Sequence, residues 1–241
     1  MTFEEIVRRR RSVRVYDPEK PIDTGRVRHC LELAALAPNS SNMQLWEFYH
    51  VTSPGILKEI SRACLGQTST ETAGEIVVFV TRQDLYRRRS RDMLKYELDG
   101  IERFSPGDWK AARIKNRKQY FGLLMPFIYA RFFGLLGVLR KILATGVGFF
   151  RPITRQVTES EMRAVVHKSC ALAAQTFMLA MAAEGYDTCP LEGFDSRLMK
   201  KILKLPAGAE INMVIPCGIR KPEGVRPLQI RIPFDEVYFQ I

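Results

Sequence analysis

Gly74-Glu75-Ile76-Val77-Val78-Phe79-Val80-Thr81 is the stretch from which the fold is read. Its run of β-branched and aromatic residues, too short for a helix and flanked by a glycine, describes a buried strand over Ile76–Thr81. Working outward toward the N-terminus, Pro54–Cys64 has helical character and Trp46–Thr52 reads as a further strand. Before it, a helix capped by Asp23 or Thr24 runs toward Ala37, with Val27, Leu31, Leu33 and Ala34 at helical spacing and Pro38 as its stop. Thr2-x-x-Glu5 is a capping box that opens a short first helix; with no apolar core, this N-terminus does not resemble a secretory signal.

Toward the C-terminus, a second capping box, Thr158-x-x-Glu161, opens a long Ala-rich helix, about Glu159–Glu184, closed by Gly185. A short strand to Cys189, a helix near Asp195–Leu205 and a strand over Ile211–Cys217 follow. The tail Pro227–Ile241 alternates like a strand. Strands separated by helices imply a layered fold, α+β or α/β.

The chain has 241 residues, enough for one substantial core, and its 46% hydrophobic and 26% charged content is that of a globular protein. Five scattered cysteines without a C-x-x-C argue against a disulfide framework or a zinc site and point to a reducing, cytoplasmic setting. The net charge of +11 is localised. Residues 82–155 hold 17 Lys and Arg against 6 Asp and Glu, and the rest of the chain is balanced. Within this block 86–118 is basic and 119–150 apolar and aromatic. Its longest uncharged run, Gln119–Ala130, has 12 residues, short of the ~20 that span a bilayer.

Four constellations could carry chemistry. Arg8-Arg9-Arg10-Arg11-Ser12-Val13-Arg14 sets guanidiniums and a hydroxyl where a helix gives way to extended chain, which suits a phosphate but equally describes a solvated helix end. Ala37-Pro38-Asn39-Ser40-Ser41-Asn42-Met43-Gln44-Leu45-Trp46 offers amides and hydroxyls to the edge of a planar heterocycle, or is a polar connection. Pro190-Leu191-Glu192-Gly193-Phe194-Asp195 is a turn before a helix, with backbone N–H groups available to a ligand. Pro216-Cys217-Gly218-Ile219-Arg220-Lys221 ends a strand in glycine and two cations. His29, His50 and His167 are isolated, and neither a Walker loop nor a complete dinucleotide fingerprint occurs.

Together and in this order, the four motifs resemble the FMN-dependent nitroreductases, over roughly residues 1–85 and 156–241. Leu45 stands where a proline is usual, Asn39 where serine is frequent, and no motif of the pattern falls in 86–155. The resemblance implies an α+β fold, a three-layer α/β/α sandwich on a mixed, mainly antiparallel sheet, formed by a single domain with a helical insertion at about 86–155. It also implies a homodimer with FMN at the interface. Arg10, Arg11, Ser12 and Arg14 would hold the flavin phosphate and ribityl chain, with Gly218, Arg220 and Lys221 completing the anion site. Pro38, Asn39, Ser40 and Asn42 would approach from the other subunit, Leu191, Glu192 and Gly193 would lie along the ring, and Gln67 would meet the pyrimidine edge. The helix 159–184 would form the dimer interface and the tail 227–241 would wrap the partner. NAD(P)H would reduce the flavin and leave before a nitroaromatic, quinone or similar lipophilic acceptor takes the electrons, a ping-pong cycle in which the cofactor carries the chemistry. A natural metabolite as substrate of a different reductive or dehydrogenase reaction, or a flavin-binding protein without turnover, are the alternatives.

The block 86–155 reads as a lid over the flavin, extended by peripheral contact with the inner face of a membrane, since clustered cations beside apolar side chains attract anionic headgroups. The apolar run 119–150 argues against a nucleic-acid partner.

Overall fold

The computed structural model describes residues 1–241. Helix α1 (Phe3–Arg9) starts on the expected capping box, with Glu5 N–H on the Thr2 hydroxyl and the Glu5 carboxylate on Thr2 N–H. Asp23 caps α2 (Thr24–Ala34) by accepting from Arg26 N–H. Strand β1 (Trp46–Val51), α3 (Pro54–Ala63), the short α4 (Thr68–Glu71) and β2 (Glu75–Thr81) follow. Residues 86–147 are largely helical, comprising α5 (Tyr86–Phe104), α6 (Gly107–Gln119), a π-helical turn (Tyr120–Leu124), α7 (Met125–Tyr129) and α8 (Leu135–Val147), and 148–155 are turn and coil. The long α9 (Glu159–Ala183), β3 (Asp187–Thr188), α10 (Ser196–Ile202) and β4 (Glu210–Gly218) complete the order.

The four strands pair antiparallel in the order β1-β2-β4-β3, and Ser12 adds a parallel bridge to Thr188 outside β3. Every residue of β2 is buried, and the two-residue period of a strand sends its side chains alternately to two cores. Val77 and Phe79 meet Val27, Cys30 and Ala34 of α2 and Ala173, Ala174 and Phe177 of α9, with the Phe79 and Phe177 rings 5.6 Å apart. Ile76, Val78 and Val80 meet Ile60 and Ala63 of α3 and Met199 of α10. A sheet with helices on both faces is the expected three-layer α+β sandwich. Helix α9 is long and apolar enough to cross a bilayer, but it is the central core helix, with Phe177 and Met181 fully buried.

A third cluster joins the basic block to the sheet. Met93 of α5, Phe121 of the π turn and Met125 and Tyr129 of α7 pack on Met43, Leu45 and, from α9, Met162 and Val166. The tail departs from its sequence pattern: 225–241 forms no strand, has a single 3-10 turn (Phe234–Glu236), and is exposed from Arg226 onward. Alternation there is not matched by a pairing partner in this chain, and without ladder hydrogen bonds it cannot make a strand.

Candidate functional site

The end of α1 sets up an anion pocket. Arg10 leaves the helix with extended backbone, and Val13 N–H and Arg14 N–H then bond Thr188 O at 3.1 Å and Gly224 O at 2.8 Å. Val13 is buried, while Arg10, Arg11, Ser12 and Arg14 face the open side. Gly224 permits this approach, because a Cβ there would sit 2.3 Å from Val15 O. The tail crosses the opening, with Arg11 Nη2 on Arg226 O at 2.9 Å. A pocket of about 230 Å3 results, lined by Arg10, Arg11, Ser12, Arg14, Arg226 and Arg231, and none of these five guanidiniums is in an ion pair. Burial, reinforced by Arg231 and Arg11, lowers the Arg10 pKa. Cys189 lies close by, its thiol pushed up by burial against the opposing field of Arg14 and Arg10. Cations gathered without carboxylates call for an anion, and guanidinium forks with a hydroxyl match phosphate oxygens.

The loop after β3 lies beside this pocket. Leu191 exchanges two backbone hydrogen bonds with Val214 (2.8 and 3.0 Å), Asp195 caps α10 by accepting from Leu198 N–H at 2.9 Å, and Glu192 and Gly193 are left exposed between these anchors. Gln67 donates from Nε2 to Gly193 O at 2.9 Å, so it steadies the loop.

The other proposed cations are placed otherwise. Arg220 donates from its backbone N and its Nε to Asp187 (both 2.8 Å), its Nη2 also reaching Arg9 O at 3.0 Å. Buried Asp187 therefore holds Arg220 as a structural ion pair. Lys221 lies near Asp17 and bonds Val15 O through its backbone. Gly218 is buried under the Tyr16 ring, where a Cβ would sit 2.7 Å from Cδ1. The resemblance implies Arg220 and Lys221 as the remaining cations of the anion site; in the structure those two do not line the pocket, and Arg226 and Arg231 do. A signal for these two was present in Arg-Pro-Leu-Gln-Ile-Arg, cations in a tail otherwise free of lysine and arginine.

The loop 38–45 is the second element. Ser41, Asn42 and Gln44 have φ of 54°, 50° and 46°, a left-handed conformation uncommon outside glycine. Asn39 holds it, accepting from Gln44 N–H at 2.9 Å, while Ser40 N–H reaches Ser169 Oγ at 3.2 Å and the Ser41 hydroxyl meets Tyr120 OH at 2.8 Å. Such strain persists where surroundings over-determine it, often at ligand clamps. A cavity of about 520 Å3 opens beside it, lined by Ser40, Ser41, Tyr120, Leu124, Ile128 and Lys168, among others.

These two elements do not meet in one chain. The loop sits where Trp46, Thr81 and Glu210 lie level, at the β1 edge; the arginine pocket sits by Thr188 and Cys217, at the β3 edge. Three interstrand spacings of ~4.8 Å and seven residues at ~3.3 Å separate the corners by roughly 27 Å.

Fold and site thus define an α+β protein with helices on both faces of an antiparallel sheet, an arginine-lined pocket at one corner and a strained polar loop at the other. A family model described as the nitroreductase family matches residues 7–219, and the chain belongs to that family. The matched span runs through 86–155. A Bacillus subtilis protein, provisionally named NAD(P)H nitroreductase MhqN, is 25% identical over 97% of this chain and 96% of its own. A structure of a provisionally assigned nitroreductase from Exiguobacterium sibiricum in complex with FMN has TM-score 0.70 at 20% identity, covering 100% and 98% of the two chains. An enone reductase of gut-bacterial fatty-acid saturation has TM-score 0.69 at 16% identity, covering 100% and 98%. The nitroreductase-like fold expected from the motifs is therefore the fold observed.

Proposed function

We propose that the chain is an FMN-dependent oxidoreductase that draws electrons from NAD(P)H and passes them to lipophilic acceptors such as quinones or nitroaromatics. The observation that carries this reading is the set of five guanidiniums and Ser12 around one pocket with no carboxylate among them. That donor set fits a phosphate monoester; the Exiguobacterium sibiricum structure holds FMN, and the Bacillus subtilis relative is named for NAD(P)H. Arg10, Arg11, Ser12, Arg14, Arg226 and Arg231 would hold the phosphate, and the Leu191–Gly193 loop, with Glu192 and Gly193 exposed and steadied by Gln67, would lie along the ring. When bound, the flavin supplies the hydride chemistry; the chain supplies orientation and charge. Burial pushes the Cys30 and Cys64 thiols to about 11 and Cys170 to about 12, so these thiols stay protonated at neutral pH.

The separation of roughly 27 Å between the two corners favours a homodimer, in which Pro38, Asn39, Ser40 and Asn42 of one copy complete the site of the other. The exposed tail beyond Arg231 has the apolar side chains to wrap a partner. Donor and acceptor would then use one opening in turn, the ping-pong order. The cavity beside Ser40 and Ser41, apolar on most of its wall with hydroxyls at one end, suits a planar lipophilic acceptor. Segment 86–155 shapes that cavity as a lid and suits peripheral contact with a membrane that holds such acceptors. Reconstitution with FMN tests the proposal: the protein should retain flavin through gel filtration, and Arg10→Gln with Arg14→Gln should release it. Retention by the double variant would contradict the assignment.

A further inference from the structure

Helix α8 is built with its bulk facing outward. Its inward stripe is Gly137, Arg140 and Ala144, all buried. Its outward stripe is Leu135, Val138, Leu139, Ile142 and Leu143, between 45% and 64% exposed. At 100° per residue these five span roughly a 140° arc opposite the buried stripe. Aromatic side chains extend the face at both ends: Phe132 and Phe133 before the helix, Phe149 and Phe150 after it, the last 91% exposed.

The docking of α8 on the rest of the chain is specific even though it buries little apolar surface. A Cβ on Gly137 would lie 2.8 Å from Glu159 N, so the helix approaches the start of α9 closely. Arg140 reaches inward and donates to Val157 O (2.7 Å), Phe127 O (2.7 Å), Ile128 O (2.8 Å) and Ala130 O (3.0 Å). Glu159 accepts from Phe132 N–H and Gly134 N–H at 3.0 Å each, fixing the turn into the helix. Polar bonds thus anchor one face while the large apolar side chains are held rigidly in water, the reverse of an ordinary surface helix.

We infer that this face of α8, with its flanking phenylalanines, docks on an anionic lipid surface; the inference rests on the reading of 86–155 as a lid with membrane contact and specifies the surface that makes it. Charge selects lipid over a second copy. Residues 119–155, which include the face, hold five Lys and Arg and no Asp or Glu, and Arg151 and Arg155 are exposed without an ion-pair partner, so two copies meeting through it would oppose like charges, whereas anionic headgroups would neutralise them. Lys141, Arg151 and Arg155 border the face and are exposed. Ile128 and Val157, whose carbonyls Arg140 grips, also line the cavity beside Ser41, so the lipid-facing helix adjoins the proposed acceptor cavity.

The test is vesicle flotation of the full-length, FMN-loaded protein with phosphatidylcholine vesicles, with and without phosphatidylglycerol. The protein should float with phosphatidylglycerol vesicles and be released at high salt. Ile142→Ser with Phe149→Ser should lower the partition coefficient roughly a hundredfold, about tenfold for each large apolar side chain, and Arg151→Gln roughly fivefold. Bleaching of bound flavin by NAD(P)H in solution should be unchanged in the Ser double variant, so loss of flotation is separable from loss of the flavin function. A protein that binds no flavin yet floats would sink the oxidoreductase reading alone. No flotation at low salt, or equal flotation of the double variant, would overturn the lipid assignment. So would a change in assembly mass on Ile142→Ser with Phe149→Ser, which would show the face covered by another copy.

Discussion

Replacing Arg231 by Gln removes one guanidinium from a pocket that holds five and no carboxylate. A charge-assisted hydrogen bond to phosphate contributes ~1.5–3 kcal/mol. Because Arg231 lies on the exposed tail, the lower end applies, about tenfold in Kd for FMN. The same change relieves repulsion on Arg10, whose pKa is lowered by burial and next by Arg231. The ligand-free protein should therefore lose no thermal stability, and its Tm should hold or rise slightly. Titration by flavin fluorescence, run in parallel with FMN and with riboflavin, reads the effect. Riboflavin has no phosphate, so its weaker affinity should be unchanged by the substitution while that of FMN falls toward it. If both flavins weaken equally, or the Tm drops by several degrees, the tail arginine is structural and the pocket is not a phosphate site.

Other consequences are open to equally direct checks. Arg140→Met leaves four carbonyls without their donor and should cost ~3–5 kcal/mol, seen as a fall of roughly 10 °C in Tm by calorimetry; a fall under ~2 °C would deny Arg140 its role as the bolt of α8. Glu210 accepts from His167 (3.2 Å), Arg131 (2.9 Å) and Arg163, which holds its carboxyl well below the usual range. A depressed folded pKa stabilises above the unfolded value of ~4.3 and is lost as pH falls below it, so the stability gap to Glu210→Gln should be full at neutral pH and close under acid; a gap constant with pH contradicts this. If each site draws on two copies, an Arg10→Gln, Arg14→Gln variant mixed equally with an Asn39→Ala, Asn42→Ala variant should recover about a quarter of wild-type turnover through hybrid dimers with one intact site. No recovery after subunit exchange is demonstrated would place each site within one chain.

Much of this was legible in the sequence where the cause is local. Both capping boxes, the Asp23 cap and the buried run of β2 declare themselves within a few residues. Arg10, Ser12 and Arg14 were legible as guanidiniums and a hydroxyl where a helix gives way to extended chain, and the structure lines one pocket with them. What failed depends on distant partners. Arg220 looked free until Asp187, itself at the end of the turn after α9, came within 2.8 Å. Arg226 and Arg231 gain meaning when the tail crosses Arg11, a contact over more than two hundred residues. The alternation of 227–241 resembles a strand, yet a strand needs a neighbour that this chain does not supply. The outward face of α8 was visible as apolarity in 119–150, but its inversion follows from Gly137 and Arg140 facing in.

The central claim is that this chain binds FMN and exchanges electrons between NAD(P)H and an acceptor. Its most direct test is anaerobic addition of NADH or NADPH to the FMN-loaded protein, followed by a quinone. The visible flavin absorption should bleach on the first addition and return on the second. A protein that takes up no FMN, or whose bound flavin keeps its absorption with both nucleotides, would contradict the account.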